Sequence, residues 1–272
     1  MDVFVWKAVF LKKNGDNLEL YFLDVGQGDS ELIISDGIKI LIDGGPANGT
    51  ILNELSKILP PLDRYLDLVI MTHPQLDHYG GLIDVLKNYQ VGAFVANGRK
   101  GESGAYDDLV KVIEEKSIPY VKVGEGDVIR RQDAVLKILN PSIKNLSSYE
   151  LNDTSIVALL EKNNLRALYT GDAGANIEKE LAVKYDLAAQ VLKIGHHGSK
   201  YSSDPEFLKE VAPDISIIEV GKNSYGHPTK EVLSRLEKIQ SAILRTDWDK
   251  NIRLIFDGKN LRVLANKTGL LQ

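Results

Sequence analysis

The sequence predicts an α/β (α+β) chain folded as a four-layer αββα sandwich, two mixed sheets packed face to face with helices outside. Three observations predict it. Short apolar runs broken by Gly/Asp turns alternate with amphipathic stretches along 272 residues, a length ample for a buried core. The two halves repeat one unit, strand–acid–helix–strand–histidine: "ILIDGG" ends in Asp43 and leads to the His73 loop, and "ALYTGDAG" ends in Asp172 and leads to "GHHGSK". No low-complexity stretch or long linker separates the halves, so residues 1–272 read as a single domain with a site at the seam of the two sheets.

The elements follow in order. "LELYFL" (18–23), "ELIIS" (31–35) and "KILI" (39–42) read as strands. A helix runs from about Thr50 to Leu59 and is stopped by Pro60-Pro61. Strand 67–71, helix 80–88, strand 91–96, helix 105–116 and strand 118–123 come next. Strand 134–139 precedes a polar loop reaching about Asp153. Strands 154–161 and 165–170, helix 175–185, strand 190–194, helix 204–211, strand 215–220, helix 228–240 and strand 241–245 complete the alternation. A final hairpin turns on "DGKN" at 257–260.

Composition removes several classes. Apolar residues make up 43% and charged residues 26%, as in an ordinary globular chain, and the absence of cysteine excludes disulfides and thiolate metal sites. The net charge of −5 gives no global pull toward nucleic acid or anionic membrane, so a phosphate-bearing substrate needs a metal or a local basic patch. No apolar run approaches the ~20 residues that span a bilayer. The start, "MDVFVWKAVFLKK", is too short and too charged for a signal peptide; residues 1–17 read as a tail, a first strand or a remnant of an N-terminal anchor.

The chemistry lies in the histidines. All five, His73, His78, His196, His197 and His227, fall in three loops that each follow an apolar strand. Neutral imidazole and carboxylate are the ligands that zinc, manganese and iron accept. His73, Asp77 and His78 lie within six residues, where a loop can turn all three inward. Asp172 ends a strand after "YTG"; alone it reads equally well as a helix cap, and beside the histidines it reads as a ligand.

"HPQLDH" resembles the H-x-H-x-D-H motif of the metallo-β-lactamase superfamily. "FLDVGQGDS", "LIDGG", "THPQLDHYGG", "NDTSIV", "YTGDA", "LKIGHHGSKYSS", "NSYGHPTKEVLSRL" and "RTD" occur in the order found in the hydrolase domain of ComEC/Rec2 DNA-uptake (competence) proteins, over roughly residues 18–250. The resemblance implies the αββα sandwich of the metallo-β-lactamase type and one or two divalent metal ions, Zn²⁺ or Mn²⁺ with Mg²⁺ open. It makes His73, Asp77 and His78 ligands, Asp172 a carboxylate between two metals, and Asp43 a group that orients the metal loop. The last ligand is one histidine of "HHG", His197 in preference to His196. The third motif offers Asn152 or Asp153 as weak ligands where the superfamily has histidine. Gln75 stands where the superfamily has histidine and the ComEC-like branch aspartate, so one metal position is expected to be firm (Asp77, His78, Asp172, His197) and one weak (His73, Asp172, Asn152 or Asp153).

The activity so implied is metal-dependent hydrolysis of phosphodiester bonds, as a phosphodiesterase or nuclease acting on DNA, with single-stranded DNA as the candidate partner and a membrane-associated DNA-uptake machinery as the setting. Location is then extracytoplasmic or membrane-associated, with cytoplasmic as the alternative. Asp77 or Asp172 is expected to take a proton from water, and His227 to act as general acid. Lys200, Ser199, Tyr225, Asn223, Gln27 and Asp29 are expected to face substrate, the "DVGQGDS" glycines cradling phosphate. Two other readings stay open: a phosphorylcholine-esterase-like enzyme for small phosphodiesters, and a metal-poor binding module whose site Gln75 has degraded.

Overall fold

The computed structural model describes residues 17–265. The expectation of an anchor remnant therefore lies, apart from Asn17, outside the described residues. In chain order the elements are β1 (Leu18–Phe22), β2 (Glu31–Ser35), β3 (Ile38–Ile42), α1 (Thr50–Ile58), β4 (Tyr65–Met71), α2 (Leu76–Asn88), β5 (Gln90–Ala96) and α3 (Gly104–Glu115). Then come β6 (Tyr120–Lys122), β7 (Val128–Arg131), β8 (Ala134–Asn140), the short α4 (Ile143–Leu146), a 3-10 turn at Leu151–Thr154, β9 (Val157–Lys162), β10 (Leu165–Tyr169) and α5 (Ala175–Lys184). The chain continues through β11 (Val191–Lys193), a 3-10 turn at Gly195–Gly198, α6 (Pro205–Val211), β12 (Ile215–Ile218), α7 (Lys230–Lys238), β13 (Ala242–Arg245), α8 (Thr246–Asp249), β14 (Ile252–Phe256) and β15 (Leu261–Ala265).

Two sheets form, as expected. One has the order β15-β14-β1-β2-β3-β4-β5-β6, the other β13-β12-β11-β10-β9-β8-β7. Each is mixed: β3 to β6 run parallel in the first and β10 to β13 in the second, while the remaining ladders are antiparallel. Alternation along each strand builds the layers. Leu18, Leu20 and Phe22 of β1 join Ile70, Val95, Leu160, Ala167 and Ile217 between the sheets. Tyr21, Leu32, Leu41 and Val69 point to the other face of the first sheet, against Leu55, Leu82 and Leu109 of α1, α2 and α3. Leu159, Leu168 and Leu192 meet Leu181, Phe207 and Leu236 of α5, α6 and α7 on the outside of the second.

The departures are local. Helix α2 starts at Leu76 rather than Gly80, with extended Gln75 as its N-cap, so Asp77 and His78 stand in its first turn and not in a loop. Strand β7, with its largely exposed "VIRR", is added to the predicted elements; pairing with β8 makes it a strand. The loop before Asp153 contains α4, capped by Ser142, and the 3-10 turn. Close contact explains one glycine pair: a Cβ on Gly81 would lie 2.0 Å from the Gly44 carbonyl oxygen, so the turn after β3 and helix α2 touch backbone to backbone.

Candidate metal centre

The parallel halves of both sheets end at the same seam, and their C-terminal ends carry the site. Asp43 follows β3, Thr72 and His73 follow β4, Asp172 follows β10, His196 and His197 follow β11, and Glu219 follows β12. Asp43, His196 and His197 hold left-handed backbones at φ 52°, 50° and 53°, a conformation that costs about 1 kcal/mol or more for a residue with a Cβ. At the histidine pair this turn splays the two rings, with planes at 72° and centroids 6.2 Å apart, so one ring goes inward and one to the rim.

His73, His78, Asp172 and His197 are buried and converge. The Asp172 carboxylate lies 3.3 Å from His78 Nε2 and 3.8 Å from His197 Nε2, and Asp77 lies 3.5 Å from His197 Nε2. Ligand atoms of His73, His78 and Asp172 lie within 4.8 Å of one another, as do those of Asp77, His78 and His197. The opposite ring nitrogens are anchored: His73 Nδ1 contacts Thr72 Oγ1 at 3.0 Å, His78 Nδ1 meets Asp43 Oδ2 at 2.8 Å, and His197 Nδ1 meets the Glu219 carbonyl at 2.9 Å. Asp43 is itself fixed by the Thr72 amide and hydroxyl, at 2.8 and 2.6 Å. These anchors aim every Nε2 at the seam.

His73 Nε2, His78 Nε2, His197 Nε2 and Asp172 Oδ1 are all buried without a hydrogen-bond partner. Buried polar atoms are rarely orphaned, and unpartnered imidazole and carboxylate atoms gathered in overlapping clusters fit bound cations. The donor set, imidazole nitrogen and carboxylate oxygen, suits a divalent ion of the zinc, manganese or iron kind. Charge agrees. Burial would lower the pKa of His78 and His197, but Asp172 and Asp29 outweigh it, holding His78 well above its ordinary value and His197 at about 10. Burial and the neighbouring His78 push His73 down to about 4. Burial would raise Asp172, but the two imidazoles hold it well below the usual carboxylate range. Asp77 is likewise held down at about 2, burial being outweighed by the facing His197 imidazole and the His78 charge.

The cleft above, about 410 Å³, is lined by Gln27, Gln75, Leu76, Asp77, Asp172, His196, His197, Tyr225 and His227. Several expected substrate contacts are corrected. Asn223 spends its amide on its own loop, donating to the Gly221 and His227 carbonyls at 2.9 Å and accepting from the Tyr225 and His227 amides at 3.1 Å, so it staples the loop. Ser199 is buried outside the lining, its hydroxyl accepting from the Tyr201 amide, and Asp204 rather than a serine caps α6. Lys200 is exposed, its ammonium 5.0 Å over the Tyr201 ring. In the glycine turn Gly28 packs against the start of α2, where a Cβ would sit 2.2 Å from the Asp77 carbonyl oxygen, while Gly26 has open space beside it. Asp29 is 0% exposed and lies beneath the site, not at its mouth. Asp153 turns away to accept from the Ser148 hydroxyl at 2.7 Å. Gln75 donates to Asn152 Oδ1 at 2.6 Å, and Asn152 reaches His196 Nδ1 at 3.2 Å, so these amides form a bridge across the cleft wall. His227 is half-buried beside His196, and burial followed by the charges of His196 and His197 lowers its pKa.

Sequence reasoning missed the layer beneath. The buried Lys193 ammonium donates to Asp29 and to the Gly171 carbonyl, the latter at 2.8 Å, while Asp29 lies 3.2 Å from His197 Nδ1. Glu219 accepts from the Ser30 amide at 3.0 Å. A lysine inside "VLKI" is the one signal that could have drawn attention there. A second buried acid, Glu178 of α5, accepts from the Ser203 and Asp204 amides at 2.8 Å and so pins the segment after His197. Burial raises its pKa from 4.5 to about 7, partly offset by those two bonds. A carboxyl raised in the folded state contributes stability that is fully present below pH 4.5 and lost as pH rises through about 7. Denaturation at pH 5 and pH 8 is expected to show about 2–3 kcal/mol of such loss that vanishes in Glu178→Gln; equal slopes in both proteins would refute it.

An αββα sandwich with imidazoles and carboxylates gathered at the seam defines the metallo-hydrolase class of fold. The chain belongs to the metallo-beta-lactamase superfamily, whose model matches residues 23–221. It is 30% identical over 259 residues to ComE operon protein 3 of Bacillus subtilis, covering 86% of this chain and 32% of that protein. It is 32% identical over 251 residues to Recombination protein 2 of Haemophilus influenzae, covering 90% and 30%. The chain thus spans about a third of the length of these relatives. Among solved structures it is similar to Igni18, a metallo hydrolase from Ignicoccus hospitalis, with a TM-score of 0.57 at 18% identity over 87% of this chain and 98% of that one.

Proposed function

We propose that the protein is a metal-dependent phosphodiesterase that cleaves DNA. The observation that carries this reading is the set of four orphaned ligand atoms, on His73, His78, Asp172 and His197, at the floor of an open cleft. Asp77, His78, Asp172 and His197 would hold the firm ion; His73 and Asp172, with the neutral amides of Gln75 and Asn152 nearby, would hold the weak one. When bound, divalent ions supply Lewis acidity toward a phosphoryl oxygen and toward water. Asp77 is the better base of the two acids, because its ionised carboxylate is part-exposed at the cleft while Asp172 sits buried between two imidazoles. His227 lines the cleft, where it would exchange a proton with the leaving oxygen. Similarity to Recombination protein 2 and the ComEC-type motifs supports DNA as substrate and a membrane-associated uptake machinery as setting. No described helix is long and apolar enough to cross a membrane.

Protein loaded with Mn²⁺ or Zn²⁺ is expected to hydrolyse bis-p-nitrophenyl phosphate and labelled DNA. Gln75→His is expected to raise bound metal toward two ions per chain and to raise the rate. Cleavage of the small ester alone would favour a small-phosphodiester enzyme. No metal by elemental analysis and no cleavage would leave a binding module.

A further inference from the structure

We propose that Thr246 is a positioning residue of the metal centre, its buried hydroxyl holding the peptide group that aims His197; this rests on the metal-dependent reading of the site and not on its substrate. None of the three residues of "RTD" (245–247) lines the cleft. Arg245 and Asp247 pair with each other through bonds of 3.0 and 2.8 Å, and the Arg245 guanidinium covers the Trp248 ring. Thr246, between them, is 1% exposed.

Strands β12 and β13 pair in parallel as far as Ile218 and Arg245. Beyond that point the Thr246 side chain takes over from the ladder. Its oxygen accepts from the Val220 amide at 2.9 Å, and its hydroxyl donates to the Val220 carbonyl at 3.0 Å. The Val220 N–H and the Glu219 C=O belong to one planar peptide group. Its N–H end is bound to Thr246, and its C=O end accepts from His197 Nδ1 at 2.9 Å. A carbonyl can only accept, so this contact requires a proton on Nδ1 and leaves Nε2 for a cation. Turning the peptide plane would take the carbonyl away from the imidazole.

Two further observations favour this role. Asp29 lies 3.2 Å from the same ring nitrogen, but its carboxylate already accepts from Lys193, and the Glu219 carbonyl is the nearer partner. Thr246 is itself held: its carbonyl accepts from the Lys250 amide at 3.0 Å, and the Arg245 amide donates to the Asp249 carboxylate at 2.9 Å. The hydroxyl, the peptide and the imidazole thus form hydrogen bonds in series, and such bonds polarise one another. A cation on Nε2 strengthens the Nδ1–H bond to the carbonyl and is felt at the Val220 N–H.

The test is Zn²⁺ affinity, measured by competition against a chelator, in wild type, Thr246→Val, Thr246→Ser and Ser216→Ala. Valine keeps the branched shape and loses the hydroxyl; serine keeps the hydroxyl. Ser216, on β12, shares a buried 2.7 Å bond with Ser241, so its loss reports a general weakening of the same strand. Thr246→Val is expected to bind Zn²⁺ at least about tenfold more weakly than wild type, with Thr246→Ser close to wild type and Ser216→Ala unchanged. Thr246→Val binding like wild type, Thr246→Ser as weak as the valine variant, or an equal loss in Ser216→Ala would each overturn the proposal. A second measurement needs no variant: in isotope-labelled wild type, Zn²⁺ is expected to move the Val220 amide proton downfield by more than that of Ile218, inside the ladder, and a Val220 signal that stays in place would overturn it too. Wild type that takes up no Zn²⁺ would sink the metal-dependent reading and this role with it. Uptake with Val220 unmoved and Thr246→Val unimpaired would sink the positioning role alone.

Discussion

Asp172→Asn is expected to lose its metal on dialysis and to hydrolyse bis-p-nitrophenyl phosphate about 10²–10⁴-fold more slowly than wild type. The reason is position. Asp172 is buried at the point where both sheets meet, 3.3 Å from His78 Nε2 and 3.8 Å from His197 Nε2, with one carboxylate oxygen unpartnered. Asparagine preserves the volume but removes the negative charge and presents an amide N–H₂ where a cation belongs. Asp77→Asn should be milder in metal retention, because Asp77 is part-exposed and one of several donors around His197. The checks are elemental analysis after dialysis and initial rates on bis-p-nitrophenyl phosphate. Full metal content in Asp172→Asn would refute the assignment.

Metal affinity rises steeply with pH, which is the second large effect. Without metal, the surrounding carboxylates hold protons on His78 and His197, the latter with a pKa of about 10. A cation must displace those protons. Below pH 10 the proton displaced from His197 makes affinity grow about tenfold per pH unit, and the proton displaced from His78, also held above its ordinary range, steepens the slope further. His73, at about 4, is already neutral at pH 7 and adds no slope, and Asp77, at about 2, is already ionised. Competition with a chelator at pH 6, 7 and 8, corrected for the chelator's own protonation, measures the slope. A flat profile would mean that the two imidazoles are neutral in the metal-free protein or take no part in binding.

The elements that place the centre were legible because they obey simple periodicity. Strands such as "ELIIS" alternate buried faces, and each ligand stands just after an apolar run where a chain leaving a parallel sheet must turn. The spacing of His73, Asp77 and His78 was legible for the same reason, although the helix start at Leu76 rather than Gly80 was not: Gly81 meets the Gly44 carbonyl backbone to backbone, a contact between distant segments that no local pattern announces. The fate of polar side chains was much less legible. In one dimension Asn223 looks like a substrate contact and Asp153 like a ligand, and only the loop geometry shows hydrogen-bonding capacity already used. Lys193 and Asp29 are 164 residues apart, and no local pattern announces that they meet under His197.

The ladder between β1 and β14 has a temporal consequence. Leu18 lies opposite Phe256, so the first described strand acquires its second neighbour only once the chain is available through residue 256. During synthesis β1 can pair with β2 as soon as both have emerged, yet its other edge stays open until the ribosome has passed residue 256. Closure of so long a loop is slow, and an apolar edge left waiting is prone to pair with the wrong partner. Folding yield should therefore depend on how quickly the last hairpin arrives, more than on any step at the metal centre.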